Sequence, residues 1–153
     1  MNVEVEDIIR NNIGATVHMS LATVSNNRPW VCEVHFAYDE ELNLYFRSKA
    51  SRRHSQEIAQ NPYVSGNIVK QFELGEPVVG VYFEGTAEQL AHVTEESPAF
   101  VALQRLGLKT DALTEAENEA DGHKFYKITV KNWYAFGRFG ADHGQKLSLE
   151  WNK

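Results

Sequence analysis

The sequence predicts a mainly β fold, an antiparallel β-barrel with peripheral helices in a single domain spanning residues 1–153. Three observations carry this. Apolar residues alternate with polar ones in successive short runs from Thr16 onward, the period of half-buried strands. Turn residues separate the runs at short intervals, as in antiparallel meanders. Glycines at 80 and 85 interrupt a long strand pattern, where a sheet bulges or bends to curl on itself.

A short amphipathic helix ends near Gly14. "TVHMSLATV", Thr16 to Val24, places Val17, Met19 and Leu21 on one face, and "SNNRP" follows as a turn. "WVCEVHFAY" puts Trp30, Cys32, Val34, Phe36 and Tyr38 on one side, so the two runs form a hairpin. After the turn "DEELN", the run "LNLYFRS" sets Leu42, Leu44 and Phe46 on one face as a third strand. Ser51 is placed to cap a helix from Arg52 to about Gln60, which Asn61-Pro62 closes because the residue before a proline avoids helical geometry. Tyr63 to Val69 and Pro77 to Leu90 read as further strands. Ser97 as N-cap, Pro98 at the first helical position and Gly107 as the stop delimit another helix. Asp111 to Asp121 carries five acids and no base, a solvated helix or loop. "KFYKITVKNWYAFGRF" is the last strand expected, followed by a polar tail ending "LSLEWNK".

The chain of 153 residues is long enough to bury a core without staples. Its net charge of −6 disfavours general affinity for nucleic acid or an anionic membrane. Cys32 is the single cysteine, which excludes an internal disulfide and suits a reducing cytosol. The acidic start "MNVEVEDIIRNNIG" lacks the features of a signal peptide, and no apolar run approaches 18 residues, so the expected location is cytoplasmic.

The basic cluster "RSKASRRH" concentrates Arg47, Lys49, Arg52, Arg53 and His54 around the start of a predicted helix. The helix dipole makes cations unfavourable there, each by about 0.3–1 kcal/mol. A phosphate would reverse the sign, drawing on free N–H groups, the Ser48 and Ser51 hydroxyls and the guanidinium forks. A solvated surface paired with acids from elsewhere in the chain accounts for the same residues. No Walker-type or dinucleotide glycine motif is present. Histidines at 18, 35, 54, 92, 123 and 143 form no close ligand pair, so no metal is expected. Cys32 reads as a small core residue rather than a nucleophile. The aromatics of "NWYAFGRF" suit core, a dimer seam or a stacking surface.

The run "LATVSNNRPWVCEVHFAYDEELNLYFRSKASRRHSQEIAQNPYVSGNI", followed by "VYFEGTAEQL", resembles the FMN-binding split-barrel family related to pyridoxamine 5′-phosphate oxidase. The likeness covers Leu21 to Leu90. It implies a six-stranded antiparallel split barrel that dimerises with itself and holds FMN in clefts at the subunit interface. Ser48 matches the family's Ser/Thr at the end of the third strand. Arg53 and His54 fall on its Arg-Lys phosphate pair, with Ser51 and Arg52 adjacent. The flavin ring is implied to lie along Cys32, Glu33, Val34 and His35, with Trp133 or Arg138 contributed by the partner subunit. Histidine stands at 54 where lysine is usual, so the charge of that ligand depends on pH. The family's C-terminal arginine–histidine substrate motif is not found, and vitamin B6 oxidation is therefore not expected.

Flavin-dependent oxidoreduction of a substrate the sequence does not name is the leading expectation, with NAD(P)H as a donor to the flavin, a small planar molecule or oxygen as acceptor, and no side chain nominated as acid or base. A non-catalytic flavin or haem carrier is the alternative, haem requiring an axial ligand in the cleft. A single-strand nucleic-acid barrel using Arg47 to Arg53 is disfavoured by the net charge, and no membrane partner is expected.

Overall fold

The computed structural model describes residues 3–70, 73–76, 78–137 and 145–151. Its centre is one antiparallel sheet that curls into a split barrel. The strands are β1 (His18–Ser25), β2 (Arg28–His35), β3 (Ala37–Tyr38), β4 (Leu44–Lys49), β5 (Tyr63–Val69), β6 (Gly80–Leu90), β7 (His123–Gly137) and β8 (Gln145–Glu150). They run in the order β2-β1-β5-β6-β7-β4-β3, and β8 also pairs with β7. The expected six strands are β1, β2 and β4–β7. The two-residue β3 and the terminal β8 are additions. Four helices complete the fold: α1 (Val3–Gly14), α2 (Arg53–Gln60), α3 (Pro98–Leu103), prolonged by a 3-10 turn at Gln104–Leu106, and α4 (Asp111–Asn118).

The first hairpin is tighter than the expected turn from Ser25 to Pro29. Asn26 and Asn27 both take positive φ (52° and 59°), which gives a two-residue turn whose twist matches the flanking strands. β2 therefore begins at Arg28 and pairs along its whole length with β1, from Ser25↔Arg28 to His18↔His35. The expected strand to Tyr38 is broken at Phe36, whose N–H donates to the Val17 carbonyl (2.9 Å) before the chain turns into β3. β2 is an edge strand, so its predicted core face is only half covered. Phe36 is buried and Cys32 and Val34 are half-buried, but Trp30 is 40% exposed.

Two cores share the sheet. Inside the barrel, Met19, Leu21, Phe46, Phe83, Ile128, Val130 and Trp133 pack against Ile9 and Ile13 of α1. Each isoleucine buried there contributes about 1.5–3 kcal/mol, which fastens α1 to the barrel. On the other face, Tyr45 and Phe125 meet Ala99, Phe100, Leu103 and Ala112 of α3 and α4. Alternation along β4 and β7 thus serves both cores: Phe46 and Tyr126 face inward, while Tyr45 and Phe125 face the helices.

Gly85 is the bulge expected of it. The β6–β7 register shifts between Glu84 and Gly85, and a Cβ at 85 would overlap the Thr129 carbonyl oxygen and lie 2.9 Å from the Val130 Cα. No register shift accompanies Gly80, where β6 begins. The tail also departs from expectation: Leu149 of β8 enters the barrel core, and the Trp151 indole N–H donates to the Glu41 carbonyl (2.8 Å). Among the described residues, no helix is long and apolar enough to cross a membrane. The close approach at the bulge is directly testable: Gly85→Ala should destabilise the fold by at least about 1–3 kcal/mol in urea titration, and a wild-type midpoint would mean that the bulge relaxes freely.

Candidate functional site

The alternation that sends Phe46 inward does the same for Ser48 at the end of β4, and the chain then turns at once into α2. Ser48 and His54 are both buried, joined by a 2.6 Å hydrogen bond between Ser48 Oγ and His54 Nε2. Burial, reinforced by the Arg52 charge and opposed by Glu57, lowers the His54 pKa below its ordinary value. The ring is therefore neutral near pH 7.

α2 starts one residue later than expected. Arg52 occupies the N-cap position, with extended backbone and no side-chain cap. Ser51 does not cap the helix, because its hydroxyl donates instead to Asp121 Oδ1 (2.6 Å). The first-turn N–H groups are left without a side-chain acceptor, the condition under which a helix start attracts an anion.

The segment Asp111 to Asp121 supplies a charge partner that sequence reasoning did not assign to it. Glu115 of α4 meets Arg47 Nη2 at 2.7 Å, and Asp121 meets Lys49 at 3.6 Å. Within α2, Glu57 accepts from Arg53 Nε (2.9 Å). Desolvation raises the Glu115 pKa, but the His123 N–H bond and the Arg47 and His123 charges outweigh it, so the carboxyl titrates low. The Ser51 hydrogen bond, then Lys49, hold Asp121 low against its desolvation. The cluster is thus in part an internal ion-pair surface, the second of the two readings the sequence allowed. Arg52 has no acidic partner within salt-bridge distance among the described residues. Arg47 Nε is buried with no hydrogen-bond partner among them, and Arg53 leaves its two Nη groups uncommitted.

These groups line one end of an open cleft of about 990 Å³, at the upper limit of the usual range for small-molecule sites. Cys32, Glu33, Val34 and His35 of β2 form one wall, with Trp30 beneath the Arg53 guanidinium (4.2 Å to the ring centroid). Burial and the adjacent Glu33 raise the Cys32 pKa, which keeps the thiol protonated and ill-suited to nucleophilic attack. The opposite wall was not anticipated. Val17, Leu103, Leu106 and Leu108 give it an apolar surface. Arg105 joins them, its Nη2 donating to the carbonyls of Thr16 (2.9 Å) and Gly14 (3.3 Å). Its sequence signal was a basic residue beside the Gly107 helix stop, which reads equally as capping.

The cleft therefore brings together Arg47, Ser48, Arg52, Arg53 and His54 with the β2 residues. Ser51 is turned to Asp121. Trp133 requires correction: it is fully buried and inaccessible to a ligand, because its side chain points into the barrel core, where its ring meets Phe83 (5.8 Å between centroids). Arg138 lies outside the described residues.

The family model for pyridoxamine 5′-phosphate oxidase matches residues 5–137. The chain belongs to that family. Similar solved structures include a heme binding protein from Mycobacterium smegmatis (TM-score 0.72, 20% identity), matched over 94% of this chain and 56% of that one. A FAD-binding protein from Mesorhizobium loti (TM-score 0.66, 20% identity) is matched over 88% and 91%. The heme storage protein HutZ from Vibrio cholerae (TM-score 0.57, 17% identity) is matched over 83% and 87%. This chain thus spans little more than half the length of the Mycobacterium protein. No curated protein matches the chain. At these identities the likeness establishes the shared split-barrel fold.

The buried histidine gives a stability prediction. Its pKa is lower folded than unfolded, so the unfolded chain takes up the proton first. The stability from neutral His54 is complete above about pH 6.5, the ordinary histidine value, and is lost as pH falls through the folded value. The depressed carboxylates Glu57, Glu115 and Asp121 contribute their own loss only below about pH 4.5. Urea titrations at about pH 7.5 and about pH 5.5 should show the first loss in the wild type but not in His54→Gln; equal losses in both would assign the slope to other groups.

Proposed function

We propose that the protein is an FMN-binding flavoprotein of the oxidoreductase type, acting as a homodimer with the cofactor in the cleft at the subunit interface. One observation carries the reading. An uncapped helix start converges with Ser48, and with the Arg52 guanidinium and the Nη groups of Arg53, which make no ion pair or hydrogen bond among the described residues, at one end of a cleft whose side wall is the edge strand β2. The cationic end suits a phosphate monoester, which receives charge-assisted hydrogen bonds there. His54, neutral and bonded to Ser48, offers the phosphate a hydrogen-bond relay in place of a fixed charge. Along β2, main-chain groups on the side away from β1 have no strand partner among the described residues and are available to the polar edge of a planar ring. Val34 and the leucines of the far wall exclude water from the ring's faces.

When bound, the flavin supplies the hydride or electron transfer; the chain's residues bind, orient and shield it. No side chain of the cleft is assigned a proton-transfer step; NAD(P)H as electron donor, and a small planar molecule or oxygen as acceptor, meet the ring from the open side. The partner subunit is inferred to cover the exposed outer face of the sheet, where Val31 and Tyr63 are 60% and 69% exposed. The single, protonated Cys32 suits a reducing cytoplasm.

Haem carriage is the second reading. The His35 ring lines the cleft, lies 4.5 Å from the His18 ring between centroids and makes no hydrogen bond among the described residues, so a ring nitrogen is available for iron. Two structurally similar proteins are named for haem. Absorbance separates the readings: protein loaded with each cofactor should retain FMN through gel filtration, whereas a Soret band abolished by His35→Ala would favour haem. In the flavin case, Arg53→Ala should weaken FMN binding by about 1.5–3 kcal/mol and leave riboflavin binding unchanged by isothermal titration. Sedimentation should give a dimer; a monomer with full FMN affinity would overturn the shared cleft.

A further inference from the structure

We propose that Glu57 is a positioning residue that presents the Arg53 guanidinium to a phosphate, and that the buried Thr23 hydroxyl sets Glu57 in turn. The inference rests on the phosphate reading of the α2 end of the cleft. Glu57 lies on the barrel-facing side of α2 and is 8% exposed. Both of its oxygens are engaged: Oε1 accepts from Thr23 Oγ1 (2.8 Å) and Oε2 accepts from Arg53 Nε (2.9 Å). Thr23, on β1, is itself buried. The carboxylate is thereby held at two points and cannot rotate without breaking a buried hydrogen bond.

Arg53 is held at two points as well. Its Nε is taken by Glu57, and its plane rests over the Trp30 ring at 4.2 Å, a stacking arrangement that guanidinium favours. With Nε turned back to the helix, the Nη edge is the one left for a bidentate contact with a phosphate. Three elements, β1, α2 and β2, thus fix one guanidinium whose side chain is 47% exposed.

A helix-stabilising role does not explain this arrangement. An exposed pair at this spacing contributes only a few tenths of a kcal/mol, less in the Arg-before-Glu order found here, and needs no buried threonine. Burying a carboxylate is costly unless its hydrogen bonds are satisfied. Pre-organising a long side chain lowers the entropy cost of gripping a ligand, and this is what the network supplies.

The test is the ratio of riboflavin to FMN dissociation constants in the wild type, Thr23→Val and Glu57→Gln, all close in shape. Thr23→Val keeps the Glu57 charge but frees Oε1; Glu57→Gln removes the charge that orients Nε. Each should lower the ratio by roughly fivefold or more, by weakening a charge-assisted contact, while riboflavin affinity stays within about twofold. An unchanged ratio in both variants would overturn the positioning role. So would tighter FMN binding by Glu57→Gln, which would make Glu57 a mere competitor for Arg53. A wild type that does not distinguish FMN from riboflavin would instead overturn the phosphate reading itself, and the clamp with it.

Discussion

The fifteen residues of β7 are the constraint on which the molecule depends. β7 pairs with β6, β4 and β8, and its alternating side chains feed the barrel core through Tyr126, Ile128, Val130 and Trp133 and the helical core through Phe125. A slip of one residue would turn these inward side chains out of the barrel and bring polar ones such as Lys127 and Thr129 in. Its register with β4 therefore fixes where Arg47 and Ser48 emerge. The bulge at Gly85 keeps β6 paired with β7 on both sides of the register shift.

That geometry places an uncapped helix start next to a sheet edge that has no further strand among the described residues. The electrostatics of the cleft are a balance of desolvation and pairing. Glu57, Glu115 and Asp121 offset much of the positive charge that the segment from Arg47 to His54 concentrates, and they draw its long side chains into defined positions. What remains available is directional: the helix N–H groups, the ends of Arg53 and the exposed Arg52. In the phosphate reading proposed above, such a site would select its anion by geometry more than by net attraction, in keeping with a chain that is acidic overall.

Much of this was legible in the sequence because it is local. β5 has its expected bounds, the Ser97-Pro98 start and Gly107 stop delimit α3 with its 3-10 extension, and the paired asparagines mark the hairpin between β1 and β2. The family resemblance named the cleft residues of β2, β4 and α2 that the structure draws together. What was not legible is non-local. Glu115 reaches Arg47 across 68 positions, and no local pattern announces such a pairing. Trp133 sits among the aromatics Tyr134 and Phe136, which are half-buried and exposed, so its sequence context could not tell core from ligand surface. Ser51 satisfied every local rule for a cap and lost to Asp121, a partner seventy residues away. β8 was hidden because two leucines and a tryptophan in a polar tail make too short a pattern to outweigh their surroundings.

The edge position of β2 has a further consequence. A strand with an unpaired side is a template for intermolecular zippering and hence for aggregation. This edge is eight residues long, carries Pro29, which has no N–H to donate, and presents the charge of Glu33. Proline and charge at an edge are the means by which sheets resist templated growth, so the protein can keep a hydrogen-bonding rail open without inviting fibrils to extend from it.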